Sequence, residues 1–106
     1  MKHINYGKTE QSRKGDMAEF YAVTWLWDQG YEVFRNCGCD GMIDLIIRDS
    51  KGNIQLVDVK TFGRDKRGKN TYTTPPKRTD EQKELGVKLL GFNAKTRELR
   101  FIKHRT

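Results

Sequence analysis

Residues 42–48, with the sequence MIDLIIR, and residues 54–61, with the sequence IQLVDVKT, lie at the centre of this chain and predict a pair of strands. Both runs are apolar and rich in β-branched residues, which is typical of strands. Between them, Lys51-Gly52-Asn53 is a turn signal. Two strands joined by so short a connection are expected to pair as an antiparallel hairpin.

Charged residues occur within both predicted strands. Because side chains alternate between the two faces of a strand, Asp58 and Lys60 share one face of the second run, and Asp44 shares a face with Ile46 in the first. If those faces coincide, two carboxylates and an ammonium meet at one end of the hairpin. Neighbouring carboxylates repel each other, and Mg²⁺ prefers such oxygen ligands. The alternative is that Asp58 and Lys60 are solvent-facing residues of an amphipathic strand.

The composition predicts a single small basic domain. The chain has 106 residues, of which 35% are hydrophobic and 33% are charged, and its net charge is +7. This length suffices for one domain with a modest core, and eleven aromatic residues argue against disorder. A basic domain of this size is expected to bind a polyanion, most commonly nucleic acid. No stretch is typical of a signal peptide or a transmembrane helix, so we expect a cytoplasmic protein with no membrane partner.

A helix is predicted in the first third of the chain. We expect it to begin near Gly15-Asp16, with Asp16 as the N-cap, and to end at Gly30. Its spacing of apolar residues predicts an inner face made of Ala18, Tyr21, Ala22, Trp25 and Leu26.

Glu19 lies at the edge of this inner face. From there its carboxylate could reach over the sheet to a site on the hairpin. The alternative is that Glu19 only completes a capping box with Asp16.

The opposite side of the same helix is also apolar, since Met17, Phe20, Thr24 and Trp27 lie roughly together there. A surface helix of a monomer is normally polar on that side. This second apolar face is therefore expected to pack on the C-terminal part of the chain or on another subunit.

The remaining elements complete a prediction of α/β class. Residues 31–36 are predicted to form the first strand, and residues 64–70 a basic, glycine-containing loop. Thr79 is typical of an N-cap with Gln82 at the capping-box position, which predicts a short helix over residues 80–85 ended by Gly86. Residues 87–93 and 98–103 are predicted to form a closing hairpin. We expect one mixed sheet with the first helix across one face, in a single domain over residues 1–106 whose residues 1–12 form a mobile basic segment.

The chemistry-bearing residues, taken in order, resemble those of the PD-(D/E)xK nuclease superfamily. They are Glu19 in an early helix, Gly41 and Asp44 on a strand, and Asp58-Val59-Lys60 on the next strand. Residues 13–31 also resemble the archaeal-type Holliday junction resolvase branch, which has a basic N-terminus followed by an early Glu. The resemblance covers residues 13–62 and implies a restriction-endonuclease-like domain.

This sequence departs from the family pattern at two positions. Ile43 stands where a Pro usually precedes the first Asp, and Asp58 stands where the resolvases usually have Glu. The superfamily accepts both residues, but Asp58 weakens the assignment to the resolvase branch.

The resemblance implies a magnesium-dependent active site. In it, Asp44 and Asp58 would ligate Mg²⁺, for which Mn²⁺ could substitute, together with the backbone carbonyl of Val59. Glu19 would ligate a second ion or hold a metal-bound water. Lys60 would orient or deprotonate the attacking water, or neutralise the developing charge. The metal would lower the pKa of the attacking water and stabilise the phosphate in its transition state.

Further roles follow around this site. Thr61 and Gln82 are expected to contact the metal ligands and orient them, without binding the metal themselves. Phosphates of the DNA are expected to contact the basic residues Lys8, Arg13, Lys14, Arg64, Lys66, Arg67 and Lys69. Phe20 and Trp27 are expected in the contact of a homodimer or a higher homo-oligomer, because a duplex requires two cuts and two-fold pairing supplies two sites.

Three functions are consistent with the sequence. The first is a structure-selective DNA endonuclease of the junction-resolvase kind. The second is a sequence-specific homing or restriction-type endonuclease on the same fold. The third is a DNA-binding module without catalysis, against which the presence of Glu19, Asp44, Asp58 and Lys60 argues.

Overall fold

A computed structural model describes residues 10–38, 41–63 and 74–103 of the chain. Among these residues no helix has both the length and the apolar character needed to cross a membrane. The elements in chain order are α1 (Glu10–Asp28), β1 (Glu32–Arg35), β2 (Leu45–Arg48), β3 (Ile54–Thr61), α2 (Asp80–Leu85), β4 (Lys88–Phe92) and β5 (Leu99–Phe101).

The five strands form one mixed sheet in the order β1-β2-β3-β4-β5. Three neighbouring pairs are antiparallel, and the pair β3–β4 is parallel. Helix α1 packs across one face of this sheet, mainly against β3 and β1. The predicted α/β class, with a central mixed sheet and an N-terminal helix on one face, is therefore confirmed.

Helix α1 begins at Glu10, more than a turn before the predicted start. Gly15 and Asp16 lie inside the helix, so the predicted N-cap at Asp16 and its capping box with Glu19 are wrong. A single glycine costs a helix only about 1 kcal/mol relative to alanine, and the residues around Gly15 include no proline. The predicted end is confirmed, since Gly30 follows the helix with a φ of 93° and Tyr31 N–H donates to the Leu26 carbonyl in a Schellman arrangement.

The main core lies between α1 and the sheet. Ala18, Ala22 and Leu26 of the helix are fully buried, as predicted for its inner face. Trp25 is half-buried with its ring edge-on to Phe101 of β5. The core residues that the sheet supplies to this layer include Leu45, Ile47, Val57 and Leu90.

Tyr21 is exposed, which differs from its predicted place on the inner face. Its ring nevertheless lies 5.3 Å from that of Phe92, so Tyr21 covers the border of the core and its hydroxyl reaches water.

The β2–β3 hairpin forms with the predicted pairing. Leu45 is opposite Val57 and Arg48 is opposite Ile54. In the turn, the Asp49 carboxylate accepts hydrogen bonds from the backbone N–H groups of Lys51 and Asn53. Strand β2 begins at Leu45, so its predicted first three residues, 42–44, form the segment that leads into the strand.

Helix α2 has the predicted bounds and caps. The Thr79 hydroxyl accepts from Gln82 N–H, the Gln82 side chain accepts from Thr79 N–H, and Gly86 closes the helix in the left-handed conformation. This helix belongs to the connection between the parallel strands β3 and β4. The predicted closing hairpin is formed by β4 and β5.

Candidate active site

The register of the β2–β3 hairpin brings Asp44 and Asp58 together. Asp44 directly precedes β2, and its N–H donates to the Val57 carbonyl over 3.0 Å. With Leu45 opposite Val57, Asp44 comes opposite Asp58. The two carboxyl groups are close enough for Asp58 to raise the pKa of Asp44. The predicted convergence of these carboxyl groups is thus present in the geometry.

Asp44 is half-buried, and its pKa is raised to about 7. Burial contributes most to this increase, followed by the hydrogen bond to Asp58. The negative charges of Asp58 and Glu19 raise the pKa of Asp44 further. The backbone N–H of Val59, which donates to Asp44 Oδ2 over 2.9 Å, acts in the opposite direction. Asp44 therefore holds its proton up to near neutral pH.

Asp58 is almost fully buried, with only 5% of its surface exposed. Val57 and Val59 pack in the core under α1, so the alternation along β3 places Asp58 and Lys60 on the opposite face of the sheet. Lys60 Nζ lies 3.3 Å from Asp58 Oδ2. A buried carboxylate is costly unless it is paired and hydrogen-bonded, and Lys60 provides one of the two partners that meet this need.

The second partner of Asp58 is Gln82 from α2. Its buried side-chain amide donates to Asp58 Oδ2 over 2.7 Å and to the Met42 carbonyl over 3.0 Å. Because Gln82 also belongs to the α2 capping box, the start of that helix is tied to the carboxylate pair. The sequence predicted a supporting role for Gln82, whereas the contact with the Met42 carbonyl had no sequence signal.

Glu19 is held by a partner that was not predicted from the sequence. Arg35, at the end of β1, donates through Nε to Glu19 Oε1 over 2.8 Å. The charge of Glu19 is close enough to raise the pKa of Asp44. Even so, across residues 10–38, 41–63 and 74–103 no three His, Cys, Asp or Glu side chains converge as a metal-sized group.

Thr61 is the last residue of β3 and lies on the same face of the strand as Val57 and Val59. It therefore lies towards the α1 face, and the structure does not bring it to the face of Asp58.

Of the residues predicted to contact phosphates, two lie on α1 and the others lie outside the described residues. Arg13 is exposed on α1, and Lys14 is half-buried next to it. The other predicted contacts lie outside the described residues, as do residues 1–9 of the predicted mobile segment; they are Lys8, Arg64, Lys66, Arg67 and Lys69.

The two aromatics predicted for a subunit contact are exposed in the single chain. Phe20 has 62% and Trp27 has 63% of its surface accessible. The guanidinium of Arg35 lies 5.1 Å from the centre of the Phe20 ring. The turn after β4 contacts this helix through Arg97, which lies against Met17 and over the Tyr21 ring. Within the described residues Phe20 and Trp27 nevertheless remain exposed, so the C-terminal hairpin does not cover them.

A cavity of about 300 Å³ lies beside Asp44 and was not anticipated from the sequence. Phe34 and Ile46, opposite each other on β1 and β2, form its apolar wall. Asn36, whose side-chain amide donates to the Ile43 carbonyl, forms a polar edge. The exposure of Phe34 follows from its place in β1, where Val33 on the other face takes the core position. Asp44 is therefore accessible from this side.

The donor set of this site fits a hard divalent cation. Two carboxyl oxygen groups meet there, and the raised pKa of Asp44 reports their mutual repulsion and burial. A cation such as Mg²⁺ or Mn²⁺ would relieve that repulsion in place of the proton on Asp44. Asp44 and Asp58 are the residues that would hold it.

Comparisons with known proteins bear on the fold. Neither protein-family models nor curated proteins match the sequence. Among solved structures, the chain is similar to a bacterial homing endonuclease, I-Ssp6803I, with a TM-score of 0.64 and 18% sequence identity. The chain therefore shares the fold of that structure. The match covers 88% of this chain and 65% of the other, so the chain spans about two thirds of the length of that endonuclease.

Proposed function

We propose that the protein is a metal-dependent endonuclease that hydrolyses phosphodiester bonds in DNA. The observation that carries this proposal is the convergence of Asp44, Asp58 and Lys60 at one end of the β2–β3 hairpin. The likeness to a homing endonuclease and the net charge of +7 support it, since both are expected of a protein that acts on DNA.

Each residue of the site has a role in this proposal. Asp44 and Asp58 would hold Mg²⁺ or Mn²⁺, with the Val59 carbonyl and Glu19 as further predicted ligands. When bound, the ion would supply a Lewis acid for the phosphate and activate water near neutral pH. Gln82 and the Val59 N–H fix the orientations of the two aspartates. Lys60, whose side chain is 40% exposed, presents its positive charge where a phosphate could approach the pair.

Two substrate classes remain candidates. The resemblance to junction resolvases favours cleavage selective for branched DNA. The likeness to a homing endonuclease favours a sequence-specific double-strand cut instead. The match leaves about a third of that endonuclease without a counterpart in this chain, so the shared fold does not by itself decide between the two substrate classes.

The test is cleavage of matched DNA substrates. Four-way junctions, linear duplexes and single strands are incubated with the protein in Mg²⁺, Mn²⁺ or EDTA. Asp58→Asn and Lys60→Ala should each lower the cleavage rate by about 10²- to 10³-fold, as expected for loss of a group that stabilises developing charge. Glu84→Gln, at an exposed position of α2, is the matched carboxylate control and should cleave as wild type.

The outcomes separate the candidates. Preferential cutting of junctions supports the structure-selective enzyme, and cutting of linear duplex at a defined sequence supports the homing or restriction type. Binding without cutting in either metal would leave the DNA-binding module as the function. Cleavage that persists in EDTA would contradict the metal-dependent mechanism.

A further inference from the structure

A basic groove of about 610 Å³ lies where β4 begins and β5 ends. Three cationic side chains line it, namely Arg78 before α2, Lys88 at the start of β4 and Lys103 after β5. Phe101 forms part of its wall, and the Lys88 ammonium lies 4.8 Å from the centre of that ring. No carboxylate is among the described residues that line the groove.

The three cations of the groove also lack acidic partners elsewhere in the described ranges. None of them forms an ion pair with a carboxylate there. Arg78 gives one guanidinium N–H to the Val87 carbonyl over 3.2 Å, which fixes the side chain and leaves its other donors for a ligand. Like charges that share a groove repel one another, and an anion removes that repulsion.

Lys88 and Phe101 of the groove lie on the opposite face of the sheet from Asp58. Lys88 and Leu90 are two positions apart on β4, so their side chains lie on the same face of the sheet. Leu90 belongs to the core under α1, and Lys88 therefore also lies on the α1 side. Asp58 and Lys60 lie on the other side. The groove is therefore a surface separate from the carboxylate pair.

We propose that Arg78, Lys88 and Lys103 bind backbone phosphates of DNA, at a site additional to the candidate active site. Three cations spread along an open groove of this size suit successive phosphates of a polymer better than one small anion. Arginine and lysine are the side chains that most often position a nucleic acid through its backbone. The proposal rests on the proposed function only in taking DNA as the polyanion.

The salt dependence of DNA binding tests this site. Binding of a 30-base-pair duplex is measured in EDTA, where the proposed enzyme would not cut, at several salt concentrations. The variant Arg78→Gln/Lys88→Gln/Lys103→Gln should flatten the slope of log K against log salt by about two to three, since each phosphate contact contributes about 0.9. The charge-matched control Lys51→Gln/Lys83→Gln/Lys95→Gln, at exposed positions that do not line the groove, should change this slope by less than about one.

Two further measurements keep the proposal falsifiable. If the triple variant loses its fold by circular dichroism, Lys88→Gln/Lys103→Gln decides, because it keeps the Arg78 bond to the Val87 carbonyl. Inorganic phosphate is titrated separately and followed by amide shifts at Val87 and Lys88. Shifts with phosphate but an unchanged DNA slope would assign the groove to a small anion and overturn the proposal, as would equal slopes for the groove variant and the control. Groove-dependent binding in EDTA, combined with no cleavage in either Mg²⁺ or Mn²⁺, would instead contradict the proposed function alone.

Discussion

The side-chain amide of Gln82 donates a hydrogen bond of 2.7 Å to Oδ2 of Asp58 and thereby joins α2 to the central strand of the sheet. The same amide also donates to the Met42 carbonyl. Gln82→Ala therefore removes a hydrogen bond from both the Asp58 carboxylate and the Met42 carbonyl. We expect the variant to lose about 1–3 kcal/mol of unfolding free energy and about 10- to 100-fold in metal affinity or cleavage, as is typical for residues that orient metal ligands.

A control variant separates the role of Gln82 in the α2 capping box from its contact with Asp58. Thr79→Ala removes the cap and leaves the Asp58 contact in place, so it should cost about 0.5–2 kcal/mol of stability without the change in metal affinity. Denaturant unfolding and calorimetric Mg²⁺ titration measure the two quantities. An equal loss of metal affinity in both variants would show that Gln82 acts only through the helix cap.

The raised pKa of Asp44 predicts an unusual dependence of stability on pH. The folded protein holds this proton up to about pH 7, whereas the unfolded chain releases it near the ordinary value of 3.8. The folded state therefore binds more protons between these values, and the metal-free protein should lose stability as the pH rises from about 4 to about 7. Asp44→Asn removes this titrating group. Its melting temperature should therefore increase relative to that of the wild type as the pH rises from about 4 to about 7.

The measurement is thermal unfolding in EDTA at several pH values from 4.5 to 8. Asp80→Asn, at a fully exposed carboxylate of α2, serves as the control and should follow wild type across the range. A difference between Asp44→Asn and wild type that stays constant with pH would contradict the raised pKa.

Gly91 and Gly15 should respond to alanine in opposite directions. A Cβ atom at Gly91 would lie 2.8 Å from the Phe62 ring and 2.9 Å from Ile102, inside a buried cluster. Overpacking of this kind costs about 1–3 kcal/mol. Gly15, in the middle of α1, has no atom within 4 Å of that position, so Gly15→Ala should stabilise by about 0.5–1 kcal/mol. Urea unfolding of both variants gives the comparison, and the same sign for both would refute it.

Phe20 and Trp27 lie exposed on α1, which supports their predicted place in a subunit contact. Aromatic surface of this size is expected to be covered in solution. Light scattering should show a dimer or larger oligomer for the wild type and a monomer for Phe20→Glu/Trp27→Glu. Ile54→Glu is the matched control, because Ile54 is as exposed but lies on β3. A monomeric wild type at high micromolar concentration, free and on DNA, would exclude the dimer.

The basic residues at positions 64–69 are predicted to contact phosphates directly after β3. Replacement of Arg64, Lys66, Arg67 and Lys69 by alanine should therefore flatten the salt dependence of DNA binding, by about 0.9 for each phosphate that is no longer neutralised. The same duplex titration used for the basic groove measures this slope. An unchanged slope would mean that these charges are only solvated.

The sequence predicted best the features that are encoded locally. The β2–β3 hairpin and the Thr79–Gln82 capping box both depend on residues close in the chain, and each appears with the expected partners. The start of α1 was wrong because Gly15 was taken as a boundary, although one glycine is a weak helix breaker.

Contacts between distant segments were less accessible to sequence reasoning. The pairing of Glu19 with Arg35 depends on how α1 crosses β1, and no local pattern specifies that crossing. The parallel register of β3 and β4 likewise depends on the complete connection between them. The sequence could predict that Asp44 and Asp58 share a face of the sheet only because one tight turn joins their strands.

The long connection between the parallel strands has a consequence for how the site assembles. Pairing of β2 with β3 closes only residues 49–53, whereas pairing of β3 with β4 must close residues 62–87 and lose more chain entropy. Topology of this kind favours early formation of the local hairpin and slower docking of the distant strand. During refolding, Asp44 and Asp58 should therefore meet before Gln82 arrives, and the order in which the site matures follows the order of the chain.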